Sequence, residues 1–241
     1  MNPKVILIDV DGTITFSKNS KYHNIFHSLA SKMGFLDELR EYFESSIESM
    51  MNPLDGVPPK YLRSHEFLNG MLEGLTKKLF EDACENVGIR EGLTDFYINL
   101  KKRNFEVIII SDSVENFVVD YLTKKFGNFY DLAFVRLHIK FDENGRYAGI
   151  VDNFRGLPKD EFINDYINQN NLNISAYVVG DSFVDLRFLI YPWVQRLLII
   201  NSPLVRYNAR NNPKVEILNE NISLMEIANR ILELEKELYK I

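Results

Sequence analysis

Two aspartates, one residue apart, follow a short apolar stretch near the start of the sequence. The stretch VILI (5–8) is largely β-branched, which favours a strand covered on both faces, and DVDGT (9–13) comes directly after it. Asp9 and Asp11 point the same way in an extended chain, and two like charges at the end of a buried strand repel each other. Either a further group holds them there for chemistry, or Asp-Gly simply begins a turn at a strand end.

Polar groups follow two other apolar runs in the same way. The run VIII ends in Ser111-Asp112, and the run YVVG is followed by Asp181, with Asp185 in the first turn of the next predicted helix. Lys159 begins a helix shortly before the second of these runs. Ligands of open parallel sheets bind beyond the carboxyl ends of the strands. Acids, a hydroxyl and one lysine are therefore expected to converge on one edge of a sheet.

Strand and helix patterns alternate from about residue 92 onward, which predicts a parallel sheet with helices on both faces. A hairpin turn is predicted at 142–145, and Ser223 with Glu226 matches a helix capping box. The predicted helices are LTDFYINLKKR, 115–125, DEFINDYINQ, FVDLRFLI and a C-terminal helix after Ser223, and the predicted strands are FEVIIIS, LAFVRLHIKF, YAGIVDNF, AYVVGD, RLLIIN and VEIL.

The segment between the first strand and this alternation has a helical pattern. Apolar residues recur three and four positions apart from about 21 to 88, and a proline-rich break at 52–59, directly after a helix predicted over 36–51, separates two pairs of predicted helices. We therefore predict an α/β fold with a doubly wound, mostly parallel, Rossmann-like sheet. Residues 1–13 and 90–241 are expected to form the core, and residues 14–89 an inserted helical domain.

Composition limits the classes of partner. The chain has 241 residues and a net charge of −6, and no block of lysine and arginine indicates binding to nucleic acid or to an anionic membrane. No apolar segment approaches the ~18 residues of a membrane span. The single cysteine, Cys84, excludes an internal disulfide and fits a reducing compartment. We expect a cytoplasmic enzyme or binding protein, in which an anionic substrate would require local positive charge or a metal.

Four short motifs, in order, resemble those of the haloacid dehalogenase-like superfamily of aspartate-nucleophile phosphatases. They are DVDGT (9–13), IIISD with Ser111, LPKDEF with Lys159, and GDSFVD with Asp181 and Asp185. The likeness covers nearly the whole chain, and the segment REGLTDFYINLKKRNFEVIIIS is similar to the phosphoserine-phosphatase-like branch. In that family an insert between the first two motifs is a helical cap over the active site. Residues 14–89 occupy the position of that insert in this sequence.

The resemblance implies a Mg²⁺-dependent phosphatase that passes through an aspartyl phosphate. It makes Asp9 the nucleophile and Asp11 the acid that protonates the leaving alcohol and then deprotonates water. Mg²⁺ is expected to be bound by the side chains of Asp9 and Asp181 and by the backbone carbonyl of Asp11.

The same resemblance assigns the remaining site residues. Ser111 is expected to donate a hydrogen bond to the phosphoryl oxygens, and Lys159 to add positive charge in the transition state. Gly12 and Thr13 are expected to bind the phosphate group, and Asp185 to support Lys159 or the waters of the metal. Each of these residues also has an ordinary alternative, such as a solvated lysine or a first-turn helix acid.

The substrate is expected to be a small phosphorylated metabolite, bound by a monomer or homodimer. Asp112 stands where phosphoserine phosphatases often have glycine, so serine phosphate is in doubt, and we expect Asp112 and the cap to set specificity. A phosphotransferase or mutase that uses the same aspartyl phosphate is one alternative, and a non-catalytic binding protein on the same fold is another. Dehalogenase chemistry is disfavoured, because it needs neither an acid at Asp11 nor a metal at Asp181.

Overall fold

A computed structural model describes residues 3–17, 24–39, 64–200 and 212–238 of the chain. Most of the helix predicted over 36–51, and the break predicted at 52–59, lie outside these residues. Among the helices that the structure describes, none combines the length and the apolar character that crossing a membrane requires.

The described elements follow the predicted alternation of strands and helices. The strands are β1 (Lys4–Ile8), β2 (Phe105–Val114), β3 (Leu132–Phe141), β4 (Tyr147–Asp152), β5 (Ser175–Gly180), β6 (Val194–Ile200) and β7 (Val215–Leu218). The α-helices are α1 (Ile25–Met33), α2 (Ser64–Leu72), α3 (Lys77–Cys84), α4 (Leu93–Lys101), α5 (Thr123–Phe126), α6 (Lys159–Gln169) and α7 (Leu224–Leu238).

The described strands form one seven-stranded sheet in the order β4-β3-β2-β1-β5-β6-β7. All neighbouring strands are parallel except β3 and β4, which form the predicted antiparallel hairpin. The strand order reverses beside β1, because β2 and β3 extend the sheet to one side and β5 to β7 extend it to the other. Parallel sheets bind ligands at such a reversal, so the carboxyl end of β1 is placed for a site. The predicted fold class is confirmed.

Both faces of β1 are buried, as its continuous apolar sequence predicts. Ile6 and Ile8 belong to one hydrophobic cluster, whereas Val5 and Leu7 belong to a second cluster on the opposite face. All four side chains are at most 1% exposed. A strand covered on both faces is held firmly, so the residues that follow it start from a fixed position.

The described part of the segment 14–89 is packed against the rest of the protein. Leu29, Leu72 and Phe80 belong to the same hydrophobic cluster as Phe117, which follows β2. Antiparallel bridges join Thr15 to Ile89 and Thr76 to Arg146, and the second bridge fastens the segment to the β3–β4 hairpin. This attachment at the hairpin was not predicted. The boundaries of a cap at 14 and 89 stay a prediction.

Two of the predicted helices have other helical forms. The helix predicted over 115–125 is a π-helix (Asn116–Leu122) that continues into α5. The segment predicted as the helix FVDLRFLI is a 3₁₀ helix over the same residues (Phe183–Ile190), and Ser182 and Asp185 form a capping box at its start. The capping box of Ser223 and Glu226 at the start of α7 is confirmed, with Glu226 accepting from the Ser223 backbone at 2.8 Å.

Candidate active site

The Asp9 carboxylate is held from three sides just beyond the end of β1. Its Oδ1 accepts hydrogen bonds from the Ser111 hydroxyl at 2.7 Å and from the Val10 backbone at 2.7 Å. Its Oδ2 lies 2.6 Å from the Lys159 ammonium. Asp9 is 7% exposed, so its charge is largely removed from water. Burial raises the pKa of this carboxyl, and the charge of Lys159 counteracts that rise.

Lys159 is a buried cation in direct contact with Asp9. Its Nζ lies 2.6 Å from Asp9 Oδ2 and 2.7 Å from Asp185 Oδ1, and the residue is 2% exposed. Burial by itself lowers the pKa of a lysine, but the carboxylates of Asp185 and Asp9 outweigh it and hold the pKa of Lys159 well above its ordinary value. The ammonium therefore stays charged and fixes both carboxylates.

Asp185 is fixed by the turn that follows β5. Its Oδ2 accepts hydrogen bonds from the backbone of Asp181 at 3.1 Å, the backbone of Ser182 at 2.9 Å and the Ser182 hydroxyl at 2.8 Å. A Cβ on Gly180 would lie 2.3 Å from Asp185 Cγ, so only glycine admits this approach. The predicted supporting role of Asp185 fits these contacts, since the carboxylate spans Lys159 and the 181–182 turn.

The turn after Asp9 carries polar atoms that the described residues leave without a hydrogen-bond partner. In this turn they are the buried atoms Asp11 Oδ1 and Thr13 Oγ1, and Ser113 Oγ near the end of β2 is a third such atom. Burial and the adjacent charge of Asp9 raise the pKa of Asp11 to about 8. Unpaired buried polar atoms are costly, and several of them close to the turn after β1 indicate a place for a polar ligand.

Gly12 brings this turn against Asp181. Its φ is +77°, and a Cβ at this position would lie 1.8 Å from Asp181 Oδ2. The backbone can take this course only because residue 12 has no side chain. The carboxylate of Asp181, the first residue after β5, is thereby placed against the turn after β1.

The donor set at this point fits a divalent cation with oxygen ligands. Carboxylate oxygens of Asp9, Asp181 and Asp185 lie within 4.8 Å of one another. Burial and the charges of Asp185 and Asp9 raise the pKa of Asp181 well above its usual range, as expected where acids meet without enough positive charge. Hard oxygen donors of this kind suit Mg²⁺. Asp9 and Asp185 both accept from Lys159, so these contacts do not rank the two as ligands, and the assignment of the cation to Asp9 and Asp181 stays a prediction.

A comparison with protein families identifies the chain. The family model of haloacid dehalogenase-like hydrolases matches residues 6–189, which include every motif residue of the site. The chain belongs to the haloacid dehalogenase-like hydrolases. Among curated proteins, no sequence matches it.

Solved structures of this fold include phosphoserine phosphatases. A phospho-aspartyl intermediate analogue of phosphoserine phosphatase is 18% identical, with a TM-score of 0.67, 95% of this chain covered and 99% of that chain. A substrate-bound phosphoserine phosphatase complex is 16% identical, with a TM-score of 0.65 and the same coverage. A phosphoserine phosphatase from T. onnurineus is 19% identical, with a TM-score of 0.59, 95% of this chain covered and 94% of that chain. At these identities the likeness is one of fold.

The structure of this haloacid dehalogenase-like hydrolase brings together the residues predicted from sequence. The Asp9 carboxylate contacts Ser111 and Lys159, and Lys159 also contacts Asp185. The backbone of Gly12 lies so close to the Asp181 carboxylate that a Cβ would overlap it. Asp11 and Thr13 lie in the same turn with unpaired oxygens. Asp112 lies at the same edge, but its Oδ1 accepts from Arg136 Nε at 2.6 Å.

Arg90 is a buried residue of the site that the sequence did not indicate. Its guanidinium donates to the carbonyls of Thr13 at 2.8 Å and Gly12 at 3.2 Å, and to those of Glu220 at 2.8 Å and Ile222 at 2.7 Å. It therefore fastens the turn after β1 to the segment that precedes α7. The only sequence signal is a basic residue at the exit of the 14–89 segment of this hydrolase, which by itself indicates nothing.

The close approach of Gly12 to Asp181 predicts a specific defect in Gly12→Ala. The new methyl group would displace the Asp181 carboxylate, so we expect Mg²⁺ to raise the melting temperature of the unmodified hydrolase but not that of the variant. Gly34→Ala is the matched control, because Gly34 has a φ of +85° in the left-handed region and nothing within 4 Å of its Cβ position. Both variants should lose about 1–2 kcal/mol from the left-handed backbone. Equal Mg²⁺ shifts in the two variants, measured by differential scanning fluorimetry, would contradict the placement of Asp181.

Proposed function

We propose that this hydrolase is a phosphatase that cleaves a small phosphomonoester through a phosphorylated Asp9. The observation that carries the proposal is the buried Asp9 carboxylate, held by Ser111, Val10 and Lys159, beside an Asp11 carboxyl with an unpaired oxygen. An in-line phosphoryl transfer needs a fixed nucleophile, positive charge at the phosphoryl oxygens and a proton source for the leaving oxygen. These side chains supply the nucleophile, one cation and the proton source.

The first half of the reaction transfers the phosphoryl group to Asp9. An oxygen of the Asp9 carboxylate forms a bond to phosphorus while the bond between phosphorus and the ester oxygen breaks. The Asp11 carboxyl donates its proton to that leaving oxygen, which departs as an alcohol. Ser111 and Lys159 stabilise the charge on the phosphoryl oxygens, and their contacts with Asp9 fix the nucleophile before the substrate arrives.

The second half releases phosphate and restores the site. The Asp11 carboxylate takes a proton from a water molecule, whose oxygen forms a bond to phosphorus as the bond to Asp9 breaks. Inorganic phosphate leaves, and Asp11 is again protonated. Because Asp11 recovers from water the proton that it gave to the leaving alcohol, the cycle needs no further acid or base.

A bound Mg²⁺ would be held by the side chains of Asp9 and Asp181 and by the backbone carbonyl of Asp11. When bound, it supplies the positive charge that a phosphate dianion needs in order to approach a carboxylate. The mutual approach of Asp9, Asp181 and Asp185 within 4.8 Å supports this assignment.

The proposed substrate is a small phosphorylated metabolite, processed in the cytoplasm. Solved structures that share the fold are described as phosphoserine phosphatases, one of them with its substrate bound. Serine phosphate is not our first choice, since Asp112 follows Ser111 where a glycine is common in those enzymes. We propose that residues of the 14–89 segment contact the leaving group and select among metabolites.

The assignment of Asp9 predicts the behaviour of Asp9→Asn. An amide does not form an acyl phosphate, so we expect phosphate release from an aryl phosphate, with water as the only acceptor, to fall by a factor on the order of 10³ or more. The variant should keep its fold by circular dichroism. Asp120→Asn, which changes an exposed acid on the π-helix, serves as the control and should keep wild-type rates. Wild-type turnover by Asp9→Asn, after mass spectrometry excludes deamidation, would show that another group is the nucleophile.

The carboxylate cluster predicts that phosphate release requires a divalent cation. We expect excess chelator to reduce turnover of the aryl phosphate to background and added Mg²⁺ to restore it. Asp181→Asn removes a proposed ligand without changing side-chain size, so it should need a higher Mg²⁺ concentration for half-maximal rate. Undiminished turnover in chelator, in protein shown by elemental analysis to be free of metal, would refute the requirement.

A further inference from the structure

Arg136 joins three segments that meet beside the active site. It lies on β3, is 8% exposed, and its Nε donates to Asp112 Oδ1 at 2.6 Å. One terminal nitrogen approaches the Asp152 carboxylate at 3.4 Å, and the other donates to the Leu157 carbonyl at 2.7 Å. The planar guanidinium therefore spans the end of β2, the end of β4 and the loop before α6, a geometry that the compact ammonium of lysine does not reproduce.

Asp152 organises the loop that leads to Lys159. Its Oδ1 accepts from the backbone of Phe154 at 2.8 Å, and its Oδ2 accepts from the backbone of Gly156 at 2.8 Å. The loop contains two consecutive left-handed residues, Arg155 with a φ of 54° and Gly156 with a φ of 80°. The Arg136 guanidinium also lies 4.8 Å above the Phe154 ring. Each end of this strained loop is thus tied to the same arginine.

The contacts form a continuous path from Asp112 to the buried lysine. The Leu157 carbonyl accepts a hydrogen bond from Arg136. Pro158 follows Leu157, and Lys159 is the first residue of α6. A displacement of about 1 Å at a reacting group is enough to cost about 100-fold in rate, so the anchoring of this loop matters for a lysine held between two carboxylates.

We propose that the Asp112–Arg136–Asp152 network positions Lys159, and that Asp112 acts through Arg136 and not by binding the substrate. This inference rests on the proposed function for its kinetic consequences, but the position of Lys159 can be measured without turnover. The Arg136 guanidinium already neutralises part of the charge of the Asp112 carboxylate. The attraction of Asp112 for a cationic substrate is therefore weakened. The prediction from sequence, that Asp112 contacts the substrate, is the alternative outcome.

A chemical labelling experiment tests the position of Lys159 directly. Lys159 is 2% exposed, and we expect its acetylation by an N-hydroxysuccinimide ester, followed by mass spectrometry, to be slow in the wild-type protein. Asp112→Ala and Arg136→Met should speed it by about tenfold or more, because loss of a charge-assisted hydrogen bond favours local opening by at least that factor. The exposed Lys78 serves as the internal standard.

Asp131→Ala is the matched control for a general loss of stability. Asp131 also pairs with a lysine, Lys101 at 2.8 Å, and accepts from a backbone amide, that of Val107 at 2.8 Å. It precedes β3 and therefore lies at the opposite edge of the sheet from the site. We expect its removal to leave Lys159 labelling unchanged. If Lys159 labelling is also unchanged in Asp112→Ala, the proposal is overturned. If Arg136→Met does not fold, Arg136→Lys takes its place.

Kinetics separate a positioning residue from a substrate ligand. We would compare two phosphomonoesters, p-nitrophenyl phosphate and O-phosphoethanolamine, which differ in a cationic group on the leaving alcohol. The proposal predicts that Asp112→Ala lowers kcat for both by a similar factor, roughly 10- to 100-fold, with KM little changed. The double variant with Arg136→Met should be no slower than Arg136→Met alone. A rise in KM confined to O-phosphoethanolamine would assign Asp112 to the substrate. So would a double variant whose loss in kcat equals the product of the losses in the two single variants.

The two experiments keep the inference distinct from the proposed function. If Lys159 is labelled faster in Asp112→Ala than in the wild type, and the wild type releases no phosphate, the phosphatase is refuted and the network is supported. Phosphate release by the wild type with unaltered labelling and kinetics in Asp112→Ala would support the phosphatase and refute the network.

Discussion

The ion pair of Lys159 with Asp9 and Asp185 is the interaction on which the site depends. Two carboxylates that face each other in a buried place repel strongly, and the penalty for removing their charges from water adds to that repulsion. The Lys159 ammonium, at 2.6 and 2.7 Å from the two, offsets both costs. Removal of the lysine would leave uncompensated buried charge, which is among the most destabilising changes that a protein interior can undergo.

The fold serves this interaction by bringing three chain segments to one edge of the sheet. The pairing of β1 with β2 and with β5 places the residues that follow β1 and β5 beside the last residues of β2. The loop before α6 then delivers Lys159 from the face of the sheet. Since β1 is buried on both faces, Asp9 starts from a rigid element, and the nucleophile needs little further ordering when a substrate binds. This preorganisation is what distinguishes the site from a chance cluster of acids.

Much of this arrangement could be predicted from the sequence, because it depends on local patterns. The strand that ends at Ile8 and the strand before Asp181 are apolar runs with a polar residue after them, and parallel pairing makes their ends meet. Lys159 required the resemblance to a family, since one lysine at a helix start looks like any other. Arg90 and Arg136 could not be found, because they bind carbonyls and acids that are distant in sequence. The π-helix escaped prediction because its apolar periodicity is close to that of an α-helix.

The most direct measurement is to trap the phosphorylated residue during turnover. The protein would be mixed with an aryl phosphate and Mg²⁺, quenched in acid within milliseconds, and reduced with borohydride, which converts an acyl phosphate to an alcohol. Peptide mass spectrometry then locates the altered carboxyl. If the Asp9 carboxylate held by Lys159 is the nucleophile, the reduced residue will be residue 9, and Asp9→Asn will yield none. Steady phosphate release with Asp9 unmodified, or reduction at a different carboxyl, would contradict this assignment.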